Sequence, residues 1–248
     1  MKFAEMTATE LHQVRRDALL VLFPIAACEQ HSRHLPTFTD ALIVTAVAEG
    51  VEIRLRSQVL LLPTLWLGAS SHHLRLGGTL SAEVDTHVTM LCDVLASLLE
   101  DGYQRVLLLN GHGGNVDTMH MALRRMQPRY RDRLLGAASY WELANKELAL
   151  LAAGPRKMMG HACEFETSMV MALRPELVRQ NEVADDPPKD DVRLRGLYTA
   201  EDMRQTTDHG AVGYPESSSA EKGTLFLEAA IGRTTEVVRA LLARRLPQ

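Results

Sequence analysis

The chain has 248 residues, 46% of them apolar, and 27 Lys and Arg stand against 31 Asp and Glu for a net charge of -4. That length admits one large α/β core, and the balanced charge excludes an electrostatic footprint for nucleic acid or an anionic membrane. Cys28, Cys92 and Cys163 lack C-x-x-C spacing and no apolar run is long enough to span a bilayer, so a cytoplasmic protein without leader or membrane anchor is expected. In chain order, Thr7 or Thr9 caps a short helix through Arg16, and Ala18 to Ile25 reads as a strand apolar on both faces. A helix over Asp40 to Leu55 precedes a second apolar run, Gln58 to Pro63. Ser81 is the predicted cap of a long helix ending at Asp101, where Gly102 stops it. Arg105 to Asn110 is a third strand, Asn115 to Met126 a helix, and Leu134 to Tyr140 a fourth strand. Phe165 to Leu173 is helical, Asp185 to Asp191 is a loop by composition, and Ala220 to Leu246 is a closing helix or helix pair. Strands alternating with helices predict a mostly parallel sheet covered on both faces.

Ligands of such sheets bind beyond the carboxyl ends of the strands, and three polar sequences fall where they can meet there. Glu29-Gln30-His31-Ser32-Arg33-His34-Leu35-Pro36 leads to Asp40 after the first strand, and Asn110-Gly111-His112-Gly113-Gly114-Asn115 follows the third. The third sequence runs from Gly160 through His161 and Glu164 to Glu166 and Ser168. Glu29 and His31 are two apart and point to one side of an extended segment. Asp40 has two oxygens and can bridge two cations, and with His112 these side chains make a nitrogen and oxygen donor set suited to zinc, manganese or iron. Two such ions would activate a bridging water and polarise a carbonyl, so the implied reaction class is hydrolysis.

Other readings are bland. The glycines after the third strand lack the Lys-Ser or Lys-Thr pair of a phosphate loop. His12, His87 and His120 lack acidic partners at ligand spacing and are read as surface or interface residues. Cys28 and Cys163 are read as small fillers, and Thr167 and Ser168 as polar groups steadying a helix start. His34 either holds its loop or lines the pocket, while Arg33 is either a solvated loop arginine or a fork for an anionic group.

These residues resemble the creatininase family. Its first motif, close to E-Q-H-G-P-H-L-P with an Asp nine residues after the first His, is matched by Glu29, Gln30, His31, His34, Leu35, Pro36 and Asp40. N-G-H-G-G-N is intact from Asn110 to Asn115, and H-A-G-E-x-E-T-S is present from His161 to Ser168 with Cys163 in place of Gly. His73 to Thr79 resembles H-x-x-F-P-G-T, and Gly210 to Gly223 resembles the family's tail. The resemblance implies a single domain over residues 1–248, a three-layer α/β/α sandwich with a mostly parallel sheet, and a two-metal centre. It further implies hydrolysis of a C–N bond in a small cyclic amide or formamide, and a homo-oligomer, commonly a hexamer. By position, Glu29 and His112 would serve one metal and His31 the other, Asp40 would bridge, and His161 would donate a proton to the leaving nitrogen.

Departures accompany the match. Creatininase proper has a liganding Glu where this chain has Gly114, so a carboxylate must come from elsewhere: Glu164 is the first candidate and Glu166 the second. Ser32-Arg33 replaces Gly-Pro, and Tyr214 replaces Asp in the tail. Arg33, His34, His73 and Glu166 are the candidate pocket residues. Similar sequences deformylate a formamidopyrimidine nucleotide, process a peptide-derived cofactor precursor, or open the carbon ring of a keto-inositol. A ring-opening C–C hydrolase is therefore the runner-up activity, followed by a non-catalytic member that retains its metal.

Overall fold

All six residues of strand β1 (Leu20–Ile25) are buried, as an apolar run without alternation requires of a strand covered on both faces. The computed structural model describes residues 1–187, 189 and 197–247. With β2 (Val59–Leu61), β3 (Arg105–Asn110) and β4 (Leu134–Ser139), β1 forms a sheet in the order β2-β1-β3-β4 in which every pairing is parallel. Val21 pairs with Val106 and Ile25 with Asn110. The two central strands therefore end side by side and release their following loops at one edge.

Alternate residues divide the core between two faces. Leu20, Leu22, Leu107 and Leu109 pack with α2 (Thr39–Arg54), α7 (Glu164–Leu173) and α9 (Ala220–Ala243). Val21, Phe23, Ile25, Val106 and Leu108 pack with α3 (Val84–Glu100) and α4 (Asn115–Met126). Each such fully buried aliphatic side chain contributes roughly 2 kcal/mol relative to exposure. The result is the three-layer α/β/α sandwich implied by the sequence. Shorter helices, α1 (Ala8–His12), α5 (Tyr140–Leu143), α6 (Asn145–Leu151) and α8 (Met203–Thr206), occupy connections.

The expected elements are present, with three corrections. Thr7 caps α1 with a Glu10 capping box, but the helix stops at His12 rather than at Arg16. Ser81 does not cap α3. Its hydroxyl accepts from Ser70 N at 2.8 Å and donates to Ala82 O, holding the segment ahead of the helix, which starts at Val84. Of the two forms expected for the closing element, a helix or a helix pair, it takes the first and is one helix despite Gly223 and Gly232. Gly223 lies where α9 crosses α7, and a Cβ there would stand 1.8 Å from the Ser168 carbonyl. His87 is fully buried rather than at the surface, its Nδ1 2.8 Å from Thr118 Oγ1. Residues 188, 190 and 191 of the expected loop from Asp185 lie outside the described residues.

Candidate metal centre and active site

The loop after β1 is folded by its own polar atoms. Glu29 N donates to Thr37 O, Gln30 N to Thr79 Oγ1, and Ser32 N to Gln30 Oε1 at 2.9 Å. Ser32 takes φ 57°, a left-handed conformation that glycine adopts more easily. This turn buries Glu29 and His31. His31 Nδ1–H donates to the Glu29 carbonyl at 3.1 Å, leaving Nε2 3.1 Å from Oδ1 of Asp40, in the first turn of α2.

After β3, the Asn110 side chain closes its own loop, accepting from His112 N at 3.0 Å and donating to His112 O and Ser139 Oγ. His112 Nε2–H is directed at the Ala69 carbonyl (3.2 Å) and Ser70 Oγ (3.1 Å). Its Nδ1 is thereby aimed inward, 3.2 Å from Glu29 Oε1 and 3.1 Å from Asp40 Oδ2. The third sequence supplies Glu166 from the first turn of α7. Its Oε2 accepts from the N-cap amide of Cys163 at 3.3 Å, and its Oε1 stands 3.7 Å from His31 Nε2.

Three donor sets thus adjoin: Glu29, Asp40 and His112, and His31, Asp40 and Glu166, which share Asp40, and Glu29, His31 and His161, which draws on both. In His31 and His112 a backbone carbonyl holds the far ring N–H, the arrangement that fixes a liganding imidazole in the required tautomer. Two ligands of one tetrahedral ion at about 2.1 Å are about 3.4 Å apart, and the observed separations run from 3.1 to 3.7 Å. Glu29 Oε2 and Asp40 Oδ2 are buried without a well-aligned hydrogen bond. Three buried carboxylates in one pocket need compensating positive charge. In the metal-free protein the imidazoles supply it. Burial opposes their protonation, but Glu29 and Asp40 push His112 up to about 10, and Asp40 and Glu166 hold His31 well above its ordinary value. Asp40 is lowered in turn, the two imidazoles outweighing its burial. The donor set fits a pair of divalent cations.

His161 stands beside this centre. Its Nε2–H donates to the Gln30 carbonyl at 2.8 Å, and its Nδ1 faces Glu29 Oε1 at 3.5 Å. Burial and the nearby His31 charge lower it to about 3, so it is neutral and presents a free lone pair to the pocket. The pocket, a cavity of about 260 Å³, also meets His72, His73, Trp141, Met159 and Met203.

Not every candidate from the sequence reaches this cavity. Glu164, the first choice to replace the carboxylate missing at Gly114, is turned away. Its oxygens accept from Ala153 N and Gly154 N at 2.8 Å each and from Lys222 Nζ at 2.7 Å, so it ties the segment before His161 to α9. Glu166, the second choice, stands among the ligand candidates instead. Successive helix positions turn by about 100°, so Glu164 and Glu166, two apart, point about 200° from each other and cannot serve the same side. His34 is buried outside the cavity, its Nε2 2.9 Å from Thr167 Oγ1, joining the first sequence to the third. Arg33 is exposed and does not line the cavity. His73 does line it, with Nδ1 accepting from Gln30 Nε2 at 2.8 Å and Nε2 3.4 Å from Glu29 Oε1.

Gln30, His72 and Trp141 escaped the sequence reading. Gln30 was legible as part of the first motif, and Trp141 by its place just after β4 at the same sheet edge. Cys163 is the expected buried filler with one addition: its thiol, pushed up to about 12 by burial and Glu166, lies 3.6 Å from Glu166 Oε2.

Comparison with known proteins finds relatives and solved structures that match over most of the chain. Creatinine amidohydrolase of Pseudomonas putida is 30% identical over 239 residues, covering 90% of this chain and 89% of the relative. The 3-dehydro-scyllo-inosose hydrolase of Thermotoga maritima is 26% identical over 98% of this chain and 84% of its own. A mycofactocin precursor peptide peptidase of Mycobacterium ulcerans is 27% identical over 82% of this chain and 78% of its own. Among solved structures, a manganese creatininase superposes with a TM-score of 0.83 at 28% identity, over 98% of this chain and 99% of that one. A mutant creatininase of Zn-Zn type gives 0.80 at 25% identity over 98% of each chain. Residues 4–238 match the creatininase (creatinine amidohydrolase) family, and the chain belongs to it.

Proposed function

We propose that this creatininase-family hydrolase is a divalent-metal-dependent amidohydrolase that cleaves the C–N bond of a small cyclic amide or formamide. The observation that carries the reading is the pair of donor sets joined at Asp40, with His161 Nδ1 beside them at 3.5 Å from Glu29 Oε1. Glu29, Asp40 and His112 would hold one ion and His31, Asp40 and Glu166 the other, with zinc, manganese or iron all compatible with the donors. Ions bound there would acidify water and polarise the scissile carbonyl.

The chain's own groups supply the rest. With Nε2–H fixed on the Gln30 carbonyl, His161 Nδ1 takes the proton of the attacking water and then delivers it to the leaving nitrogen; its low value in the metal-free protein comes from burial and in part from the His31 charge, which a ligated His31 would no longer carry. His161 therefore acts as base before it acts as acid. The Trp141 and Met159 side chains offer the apolar wall against which a small ring can lie.

Elemental analysis after dialysis should find close to two divalent ions per chain, and one firm ion would remove the two-metal reading. The loaded protein is then assayed on cyclic amides, formamides and keto-inositols. His161→Ala should lower turnover at least about 100-fold with metal content unchanged, and a fully active variant would refute its proton role. Turnover of keto-inositols alone would favour the C–C hydrolase reading, which the Thermotoga maritima relative supports through its 98% coverage of this chain. We also take the protein to be a homo-oligomer, supported by the half-exposed, mutually packed Phe38 and Trp66. Sedimentation at the monomer mass would refute that. No helix of the described residues is long and apolar enough to cross a membrane.

A further inference from the structure

The space left by the missing carboxylate at position 114 is occupied. A Cβ on Gly114 would stand 2.8 Å from His72 Cε1, 2.5 Å from His112 Nε2 and 2.2 Å from the Ala69 carbonyl. Glycine here lets the segment bearing His72 close onto the loop bearing His112. That segment is clamped from both ends. Ala69 N donates to Asn115 Oδ1 at 3.0 Å, Ser70 N to Ser81 Oγ at 2.8 Å, and Ser70 O accepts from His73 N in the first turn of the 3-10 helix Ser71–Leu76.

His72 is thereby held in a defined plane. Its ring stacks on His112 at 5.8 Å between centroids and 19° between planes, and meets His73 edge-on at 4.3 Å. It lines the cavity, half-buried, yet neither ring nitrogen has a hydrogen-bond partner among the described residues. Each of the other cavity imidazoles has at least one ring nitrogen committed: His73 between Gln30 and Glu29, His161 to the Gln30 carbonyl, His112 to Ala69. Since His73 also packs on His161 at 4.5 Å, His72 and His161 flank it as the outer members of a row of three rings.

We propose that His72 is a specificity-determining residue that hydrogen-bonds a polar atom of the substrate on the far side of His73 from His161. This rests on the cavity being the active site proposed above. A neutral imidazole offers one donor and one acceptor, and its stacked, packed ring loses little freedom when it binds. The ligand class is a compact neutral molecule with an amide or ureide N–H or C=O within reach of that wall.

The test uses the metal-loaded full-length protein as wild type and as His72→Ala, His72→Phe and His72→Asn. On the best substrate of the panel, His72→Ala and His72→Phe should raise KM at least tenfold with kcat within threefold, and His72→Asn should recover most of the loss. Metal content and thermal midpoint should match wild type in all three. A kcat/KM within twofold of wild type for His72→Ala overturns the proposal, as does loss of metal in that variant, which would make His72 a support of His112. Should wild type turn over nothing, the amidohydrolase reading has failed, and His72 is read instead by calorimetric titration with hydantoin. Tenfold weaker hydantoin binding in His72→Ala supports the contact; equal binding, or none by wild type, overturns it.

Discussion

Glu166 Oε1 stands 3.7 Å from His31 Nε2, while the other oxygen of the same carboxylate is held by the helix-capping amide of Cys163. One carboxylate thus caps a helix and faces a ligand candidate. Glu166→Gln should lower the metal content from about two ions per chain to about one while leaving the fold intact. Glu164→Gln should do the reverse: both ions are kept, but stability falls on the order of 2–3 kcal/mol because Lys222 loses its buried partner. Elemental analysis and urea unfolding distinguish the pair, and metal loss in Glu164→Gln with none in Glu166→Gln would reverse the assignment.

Much of this was legible in the sequence, for physical reasons. β1 declared itself because a strand covered on both faces carries no polar residue, and β3 and α4 have the predicted bounds because Gly102 and the N-G-H-G-G-N turn punctuate them. Glu29, His31, Asp40 and His112 could be grouped because they leave adjacent parallel strands at one edge. Choosing between Glu164 and Glu166 required the rotation of α7 about its axis, which its apolar pattern does not fix. His72 could not be separated from His73 without the 3-10 turn that aims both rings at the cavity. Ser81 misled because its hydroxyl found a partner in Ser70 rather than in its own helix.

Gly114 should tolerate no side chain. The Ala69 carbonyl that a Cβ would strike at 2.2 Å is also the acceptor that fixes His112 Nε2–H. Backbone cannot swing aside as a side chain can, so Gly114→Ala is expected to cost about 1–3 kcal/mol and to weaken metal retention at the Glu29, Asp40 and His112 set. A melting curve and a chelator titration check both parts. Unchanged metal retention would mean that the His112 tautomer does not depend on Ala69.

Metal loading should release protons. Before loading, His112 is pushed up to about 10 and His31 lies well above its ordinary value. Both must give up a proton to offer a lone pair. At pH 8, close to two protons per chain should appear when both sites fill, read by calorimetry in two buffers of different ionisation enthalpy. The sign follows from the raised values: the metal-free fold gains from these histidines fully below the unfolded value of about 6.5 and loses that gain as pH rises toward 10. Buffer-independent heats would show that the imidazoles are already neutral.

Two histidines outside the centre contribute to the acid limit of the fold. His34 and His87 are fully buried and each is lowered to about 4, first by burial and then by a neighbouring imidazole, His31 for the one and His112 for the other. In the unfolded chain both return to about 6.5. Below that value the unfolded state binds protons that the folded state refuses, so stability is complete above pH 6.5 and drains as pH falls to 4. Each histidine accounts for a loss on the order of 3 kcal/mol over that window. His87→Gln, which can still reach Thr118 Oγ1, should remove its share of the slope measured by urea unfolding between pH 6.5 and 4. A slope unchanged in that variant would place the acid sensitivity elsewhere, with the metal-facing carboxylates as the next groups to test.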